Sequence, residues 1–324
     1  MTHILLPTDT PRRLVFYLAM EEYVAQHIKA SDCFFMWQVS PTVIFGRNQT
    51  LEAEVNVDFC KAEGIALYRR KSGGGCVYSD EGNLMLSYIC EGQPVGFVFD
   101  RYLRRMTHVL QRAGIDVQVS GRNDLVIDQR KVSGNAFYQL PHRNIVHGTL
   151  LHHTDFERMQ KAITPSTQKL QSKGVPSVRS RVTNLCEHTE MSLEALKQHL
   201  VNELCTHSHT LTDEDVKAIE AIEQTYLQED FIKGRRPHYS LTRQAHLPHV
   251  GSVCTDIELK GERIRSICIT GDFFDLQDLH TELNKLLLKC AYNKEEVTQA
   301  TSHFRMENYV RNLTTQDWIN TLFD

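Results

Sequence analysis

A glycine-rich segment between two apolar runs carries the strongest chemical signal in the sequence. Three cations, residues 69–71, precede Ser72 and three consecutive glycines, residues 73–75. Consecutive glycines let several backbone N–H groups converge on an anion, and the neighbouring cations add positive charge. The segment therefore predicts a phosphate or carboxylate site, although a hairpin turn on a solvated basic face has the same pattern. No Gly-Lys-Ser/Thr sequence closes the segment, so it is not a Walker loop.

A second cluster consists of two polar runs, Gly-Arg-Asn-Asp and Lys-Val-Ser-Gly-Asn, on either side of a short turn. In a strand, Lys131, Ser133 and Asn135 share one face, and Gly134 leaves space beside them. A lysine in that position is suited to contact a reacting phosphate, whereas an exposed hairpin lysine is the simpler alternative. Asp124 is a candidate ligand for Mg²⁺, or else a turn residue.

A third candidate is the basic, serine-rich stretch of residues 169–184, which interrupts a mainly helical region. Its Lys173-Gly174 pair and its two arginines, Arg179 and Arg181, are typical of a mobile loop that closes over a phosphoryl group. A solvated helix start is the simpler alternative. His147 is a lesser candidate, because a single strand histidine among sixteen is more often packed than catalytic.

Short apolar runs and helical spacings indicate the elements that carry these segments. Runs of strand length, rich in aromatic and β-branched residues, occupy residues 33–38, 42–45, 65–68, 76–78, 84–90, 117–119, 125–128, 131–138 and 145–151. Helical spacing is found at residues 10–27, with Pro11 in the first turn, at 97–113 and over much of 156–226. This mixed order predicts an α+β fold in which helices flank a mixed or antiparallel sheet.

The end of the chain predicts a second, smaller domain. The pattern loses its periodicity around residues 231–248, and residues 253–274 then alternate as a hairpin that turns at Lys260-Gly261. Two helical patterns follow the hairpin. We therefore predict a large domain, residues 1–245, and a small α+β domain, residues 246–324.

The composition excludes several classes of protein. The 324 residues carry a formal net charge of -4, so no overall positive field attracts nucleic acid or an anionic membrane. No stretch approaches the roughly 18 apolar residues of a membrane span, and the N-terminus lacks the apolar core of a signal peptide. The nine cysteines include no C-x-x-C spacing, which fits a reducing compartment. We therefore expect a cytoplasmic protein without nucleic-acid or membrane partners.

Together, these segments resemble the motifs of lipoate-protein ligases, whose catalytic domain is related to that of biotin-protein ligases. Five motifs occur in the family's order: RRKSGGGCVYSDEGN (69–83), GRNDLV (121–126), RKVSGNA (130–136), HGTLL (147–151) and SVRSRVTNL (177–185). The later GDFF run (271–274) resembles part of the family's C-terminal accessory domain. The resemblance implies a biotin/lipoate ligase-like fold for the large domain.

The resemblance also implies a two-step, ATP-dependent reaction. Lipoate and ATP, with Mg²⁺, form lipoyl-AMP, and a lysine of an acceptor protein then attacks the mixed anhydride. The implied acceptors are the lipoyl domains of 2-oxo acid dehydrogenase acyltransferase subunits and the glycine cleavage H protein. Lys131 matches the family's catalytic lysine, which contacts both lipoate and the ATP phosphate.

Further roles follow from matching positions in the family's motifs. The residues that match ATP-binding positions are Arg70, Gly75, Cys76, Val77, Tyr78, Lys131, Arg179 and Arg181. The residues that match lipoate-binding positions are Ser72, Gly73, Gly74, Gly75, Lys131, Ser133, Gly134 and His147. Asp124 is the candidate metal ligand.

Two positions depart from the family's pattern, since Ser79 replaces the usual His and Cys76 replaces Ala or Thr. One alternative is therefore a lipoyl or octanoyl transferase that uses preformed lipoyl-AMP or a carrier-bound acyl group, with a cysteine nucleophile in the second case. Another alternative is a lipoate- or nucleotide-binding module without turnover. If the usual His is only structural, we expect the Ser79 hydroxyl to cap the turn at residues 80–83.

Overall fold

Three β-sheets organise the part of the chain that the computed structural model describes, namely residues 1–92, 94–121, 123–163, 181–233 and 241–323. The strands are β1 (Thr2–Leu5), β2 (Asp32–Trp37), β3 (Thr42–Phe45), β4 (Ala66–Arg69), β5 (Val77–Ser79), β6 (Asn83–Glu91), β7 (Gln118–Ser120), β8 (Asp124–Ile127), β9 (Arg130–Leu140), β10 (Arg143–Leu151), β11 (His207–Thr210), β12 (Leu241–Leu247), β13 (Gly251–Lys260) and β14 (Arg263–Gly271). The helices are α1 (Leu14–His27), α2 (Leu51–Glu54), α3 (Val57–Ala62), α4 (Val95–Arg112), α5 (Phe156–Ala162), α6 (Leu193–Leu204), α7 (Asp213–Tyr226), α8 (Glu229–Lys233), α9 (Leu279–Leu287), α10 (Lys294–Ala300) and α11 (Thr315–Phe323).

The largest sheet has eight strands in the order β11-β1-β2-β6-β10-β9-β8-β7. Strand β1 pairs in parallel with β11 and β2, whereas the other neighbours in this sheet are antiparallel. One face of the sheet packs on α4, and the opposite face packs on α1. The predicted α+β class, with a mixed sheet between helices, is confirmed.

A small sheet, β4-β3-β5, carries the glycine-rich segment in the connection between β4 and β5. Strand β3 pairs in parallel with β4 and antiparallel with β5. Val43, Phe45 and Tyr78 of this sheet form an apolar cluster that includes Leu151 of β10. This cluster therefore joins the small sheet to the large one, and it brings the glycine-rich segment close to the strands that carry the other motifs.

The third sheet, β12-β13-β14, is antiparallel and shares an apolar core with α9 and α11. The predicted hairpin is present, and Gly261 at its turn has a φ of 66°, which suits glycine. The boundary predicted at residue 245 falls within β12, all seven residues of which pair with β13. Because these ladder bonds attach β12 to the C-terminal sheet, we propose that the domain boundary precedes Leu241.

The β8–β9 hairpin determines where Lys131 lies. Its two turn residues have positive φ values, 49° and 65°, which fits the tight turns that match strand twist. In the ladder, Val126 pairs with Lys131 but Leu125 pairs with Ser133, so Val132 is the extra residue of a β-bulge. The bulge shifts the alternation of side chains by one residue. The prediction that Lys131 and Ser133 share a face is therefore wrong.

Several other sequence-based expectations need correction. Helix α1 begins at Leu14, with Arg13 at the N-cap, so Pro11 precedes the helix rather than occupying its first turn. Strands β1, β11 and β12 and helix α11 were not predicted. Strand β11 shows why, because its sequence His-Ser-His-Thr is polar and exposed throughout and has no alternation to detect. Among the helices described here, none combines the length and apolarity needed to cross a membrane.

Candidate active site

The buried side chain of Arg70 organises the glycine loop, which we define as residues 70–76. Its Nη2 donates to the carbonyls of Gly73 (2.7 Å) and Gly75 (2.8 Å). Its Nε donates to the hydroxyl of Ser72 at 2.9 Å. Burial lowers the pKa of Arg70 to about 10, so the guanidinium remains charged at neutral pH. Arg70 therefore stabilises the conformation of the loop through the loop's own carbonyls.

The two cations on either side of Arg70 have partners away from the loop. The Arg69 guanidinium donates to the carbonyls of residues 46, 47 and 49. The Lys71 ammonium forms an ion pair with Glu22 at 2.7 Å and lies over the ring of Tyr226. Lys71 therefore has its charge compensated by Glu22, whereas Arg69 is held in place by carbonyl groups.

A buried chain of polar groups connects the glycine loop to the large sheet. The Ser72 hydroxyl lies 2.7 Å from Nε2 of His147, and Nδ1 of His147 lies 2.9 Å from Oε2 of Glu21. The chain continues through Ser87, which donates to Glu21 at 2.6 Å and accepts from Nε1 of Trp37 at 2.9 Å. Because Arg70 donates to Ser72, the hydroxyl proton is left to donate to Nε2, and Nδ1–H then donates to Glu21.

This order of serine, histidine and carboxylate resembles that of hydrolases, but its setting differs. Ser72 has no exposed surface, and its oxygen accepts from a guanidinium, which weakens it as a nucleophile. The chain therefore orients the glycine loop rather than supplying a nucleophile. The sequence identified Ser72 and His147 but missed Glu21, Ser87 and Trp37. Nothing local marks these three, because each lies in a separate apolar element and only the fold brings them together.

Lys131 forms the centre of a second group of residues. Its Nζ lies 2.8 Å from Oδ1 of Asp124, and the two side chains are 35% and 24% exposed. A Cβ atom on Gly134 would lie 2.5 Å from this Nζ, so a larger residue there would displace the ammonium. The bulge at Val132 thus places Lys131 on the same face as Asp124 and Gly134. The Ser133 hydroxyl instead accepts from the amide of Asn135, beside Gly148.

The end of the basic stretch, residues 181–184, lies beside Lys131. The Lys131 N–H donates to the Arg181 carbonyl at 2.8 Å, and the Thr183 N–H donates to the Lys131 carbonyl at 3.0 Å. Nε of Arg181 is buried and has no hydrogen-bond partner within the described part of the chain. Burial also lowers the pKa of Arg181. A desolvated guanidinium of this kind is suited to bind a phosphate. The predicted contacts at Lys173 and Arg179 lie outside the described residues.

The three glycines of the loop have different surroundings. A Cβ on Gly75 would meet no atom within 4 Å, so this glycine faces open space. Gly73 and Gly74 are instead packed against residues 273 and 274 of the C-terminal domain. Among the other predicted ATP contacts, Cys76 and Val77 are half-buried, whereas the Tyr78 side chain is buried in the core of the small sheet. Only part of the segment is thus open to a ligand.

The turn after β5 is capped by Asp80, not by Ser79. Oδ1 of Asp80 accepts from the Gly82 N–H at 3.0 Å, and Oδ2 accepts from the Asp155 N–H at 2.9 Å. The Ser79 hydroxyl is buried and has no partner among the described residues. The expectation that Ser79 caps this turn is therefore wrong, because the longer carboxylate side chain of Asp80 already fills that role.

Asp124 is the one predicted metal ligand. In the described residues, no group of three or more His, Cys, Asp or Glu side chains is arranged to hold a metal ion. A single carboxylate is nevertheless compatible with Mg²⁺, which is commonly bound by one or two carboxylates together with substrate phosphates. A separate cavity of about 530 Å³ lies between the β1–α1 connection and the end of β2, and none of the predicted site residues lines it.

Comparison with known proteins defines the class of this fold and site. Residues 14–205 match the family model of the lipoyl protein ligase A/B catalytic domain, and residues 236–322 match that of the bacterial lipoate protein ligase C-terminus. The first match alone covers more than half of the chain. The chain therefore belongs to the lipoate-protein ligase family, as its motifs indicate.

Individual relatives agree with this assignment. The lipoate-protein ligase LplJ of Bacillus subtilis is 31% identical over 318 residues, which cover 94% of this chain and 96% of LplJ. The crystal structure of P. falciparum LipL1 in complex with lipoate has a TM-score of 0.78 at 17% identity and covers 98% of this chain and 97% of that one. Lipoate-protein ligase A bound with ATP has a TM-score of 0.62 at 24% identity, covering 72% and 98%. The protein is an enzyme of the lipoate-protein ligase type.

Proposed function

We propose that this enzyme activates lipoate with ATP to lipoyl-AMP and transfers the lipoyl group to a lysine of a lipoyl domain, with Lys131 as the catalytic residue. The supporting observation is that backbone hydrogen bonds hold Lys131 and Arg181 next to each other. Among the other motif cations, Arg69 is bound to backbone carbonyls and Lys71 to Glu22. We infer that these two side chains of Lys131 and Arg181, which start from hydrogen-bonded backbone positions, receive the two anionic reactants.

In the first step, a carboxylate oxygen of lipoate attacks the α-phosphorus of ATP. A new O–P bond forms, and the bond to the pyrophosphate oxygen breaks. Because two anions must approach each other, an ammonium fixed between them stabilises the charge that develops in the transition state. Lys131 supplies this ammonium, and Arg181 contacts the phosphate. Asp124 and the ATP phosphates would hold Mg²⁺, which neutralises charge on the leaving pyrophosphate.

In the second step, the amine of the acceptor lysine attacks the acyl carbonyl of lipoyl-AMP. A C–N bond forms, the bond to the AMP oxygen breaks, and the attacking nitrogen loses its proton. Lys131 polarises the acyl carbonyl in this step, and the ion pair with Asp124 keeps its ammonium in place between turnovers. One cation therefore contributes to both transition states.

We retain the other predicted contacts as proposals. ATP contacts Arg70, Gly75, Cys76, Val77, Tyr78, Arg179 and Arg181, and lipoate contacts Ser72, Gly73, Gly74, Gly75, Ser133, Gly134 and His147. The acceptors are the lipoyl domains of 2-oxo acid dehydrogenase acyltransferase subunits and the glycine cleavage H protein. We place the reaction in the cytoplasm, which matches nine free cysteines without paired spacing.

Mass spectrometry of an apo lipoyl domain tests the proposal. After incubation with enzyme, lipoate, ATP and Mg²⁺, we expect the acceptor to gain the mass of one lipoyl group, and omission of ATP should abolish the gain. Synthetic lipoyl-AMP should replace lipoate and ATP. If only lipoyl-AMP supports modification, the enzyme is a transferase and the first step of the proposal is wrong.

The alternative that uses a cysteine nucleophile has less support. A reactive cysteine needs a thiolate, which burial in apolar surroundings disfavours. Burial raises the pKa of the thiols of Cys33, Cys60 and Cys90. The mixed anhydride of lipoyl-AMP is already activated, so a thioester intermediate is not required.

A further inference from the structure

The C-terminal domain inserts a short segment, residues 271–275, into the large domain. The ring of Phe274 is buried in the apolar core beneath α4, where it stacks on Phe137 at a centroid distance of 5.5 Å. The ring of Phe99 lies 6.1 Å away. A residue of the small domain thus forms part of the core of the large one.

The same segment contacts the glycine loop directly. The Gly74 N–H donates to the Phe273 carbonyl at 2.8 Å. A Cβ on Gly73 would lie 2.4 Å from that carbonyl oxygen, and a Cβ on Gly74 would lie 2.8 Å from the Phe274 ring. Gly74 also has a φ of 87°, which side chains disfavour. Two of the three glycines are therefore required by contact with the C-terminal domain, and Gly75 alone faces open space.

A second connection links the same parts through residues 46–49. The Gly271 N–H donates to the Asn48 carbonyl at 2.7 Å, and Nδ2 of Asn48 donates to Oδ1 of Asp275 at 2.6 Å. The Arg47 N–H in turn donates to the Ser72 carbonyl at 2.9 Å. The segment, residues 46–49 and the glycine loop are thus hydrogen-bonded to one another in a closed arrangement.

We propose that Phe274 is a positioning residue for lipoyl-AMP formation, acting through Gly74 on the glycine loop; this inference rests on the proposed two-step function. The loop must hold two separate reactants in alignment during the first step, and small displacements of such a loop are costly. In lipoyl-AMP the two groups are already joined covalently, so the second step depends less on the loop. Loss of the Phe274 ring removes the packing support of Gly74 and should loosen the loop at that residue.

The test uses the full-length protein and the substitution Phe274→Ala. We expect it to raise the KM for ATP in pyrophosphate release, or to lower kcat, by about tenfold or more, and to slow transfer from synthetic lipoyl-AMP by less than about threefold. Phe274→Leu, which keeps an apolar side chain against Gly74, should restore most of the first step. Thermal unfolding followed by circular dichroism would check that each variant folds.

Arg311→Ala is the matched control, because it weakens the same junction between the domains but leaves the Phe274 ring in place. The Arg311 guanidinium pairs with Asp100 at 2.8 Å and lies 5.1 Å from the centroid of the Phe99 ring, and the substitution keeps the backbone bond from residue 311 to the Phe274 carbonyl. We expect this variant to keep the first step within about threefold of the wild type. Equal loss in both variants, or equal loss of both half-reactions in Phe274→Ala, would overturn the proposal.

Amide hydrogen exchange gives a readout that does not depend on activity. The hydrogen bond from Gly74 to Phe273 protects this amide, so residues 70–76 should exchange faster in Phe274→Ala than in Arg311→Ala. Unchanged exchange in the loop would contradict the inference. If the wild type itself formed no lipoyl-AMP, the proposed function would fail, and the exchange rates would still decide whether Phe274 positions the loop.

Discussion

Substitution of Lys131 by alanine separates the effects of this residue on stability and catalysis. In the resting protein, its ammonium pairs with Asp124 at 2.8 Å, and both side chains remain partly exposed. Pairs of this kind contribute at most about 1 kcal/mol to stability. For a chain of this size, that corresponds to a decrease in Tm of only about 1 to 2 °C. We therefore expect Lys131→Ala to fold.

The expected catalytic loss is much larger. Removal of one preorganised donor from a charged transition state costs about 3 to 4 kcal/mol, or roughly 10²- to 10³-fold in rate. Because the proposed mechanism places the Lys131 ammonium against the reactants in both steps, both half-reactions should decrease. The first is measured as pyrophosphate release in a single turnover, and the second as the mass gain of an apo lipoyl domain supplied with lipoyl-AMP.

Two further variants serve as controls. Arg130→Ala removes the neighbouring cation of β9, which pairs with Glu187 at 3.5 Å, and should leave both rates nearly unchanged. Gly134→Ala retains the lysine but places a Cβ 2.5 Å from its Nζ, so it should lower both rates by displacing the ammonium. If Lys131→Ala kept more than about a tenth of the wild-type rate in both steps, the contact would be worth less than about 1.4 kcal/mol. That value is too small for a catalytic residue.

Three other predictions follow from buried groups. Burial raises the pKa of Asp275 to about 6, so the native state gains stability as the pH falls through 6. Asp275→Asn should therefore increase the free energy of unfolding at pH 8 by on the order of 3 kcal/mol, which would be seen as a higher Tm. At pH 4 it should have little effect, and an effect that did not depend on pH would contradict this prediction. Ser79→Ala should preserve activity and stability, because it removes a buried hydroxyl without a described partner, and Ser79→His should not accelerate pyrophosphate release tenfold. No hydroxylamine-labile acyl adduct should form on the protein. If such an adduct did form, and one Cys→Ser variant lost both the adduct and the activity, the enzyme would be a transferase.

Much of the scaffold of the site was predictable, because it depends on local patterns. Strand β3 spans Thr42–Phe45, as its run of β-branched and aromatic residues predicts. The turn at residues 128–129 and the hairpin at Gly261 also follow from turn chemistry. Each of these features is determined by a few consecutive residues.

The features that escaped prediction depend on contacts between distant segments. The bulge at Val132 is invisible in the sequence, since a strict alternation would place Lys131 and Ser133 on one face. Glu21 lies in a buried helix and becomes significant only because β10 places His147 2.9 Å away. Burial of a carboxylate without hydrogen-bond partners would destabilise the protein. The hydrogen bonds that the Glu21 carboxylate makes with His147 and Ser87 therefore account for its presence there.

The glycine loop shows how a sequence motif can describe the surroundings of a predicted site incompletely. The motif predicts an anion site because consecutive glycines expose N–H groups and adjacent cations add charge. In the structure, the Gly74 N–H is bound to the C-terminal domain, and the cations at residues 69–71 are bound to carbonyls or to Glu22. Because these groups are already engaged, we propose that Lys131 and Arg181, which come from other parts of the chain, contribute positive charge to a bound phosphate. In our proposal, the anion site requires the loop, the β8–β9 hairpin and the C-terminal domain together, so a change that separates any one of them should impair activation of lipoate.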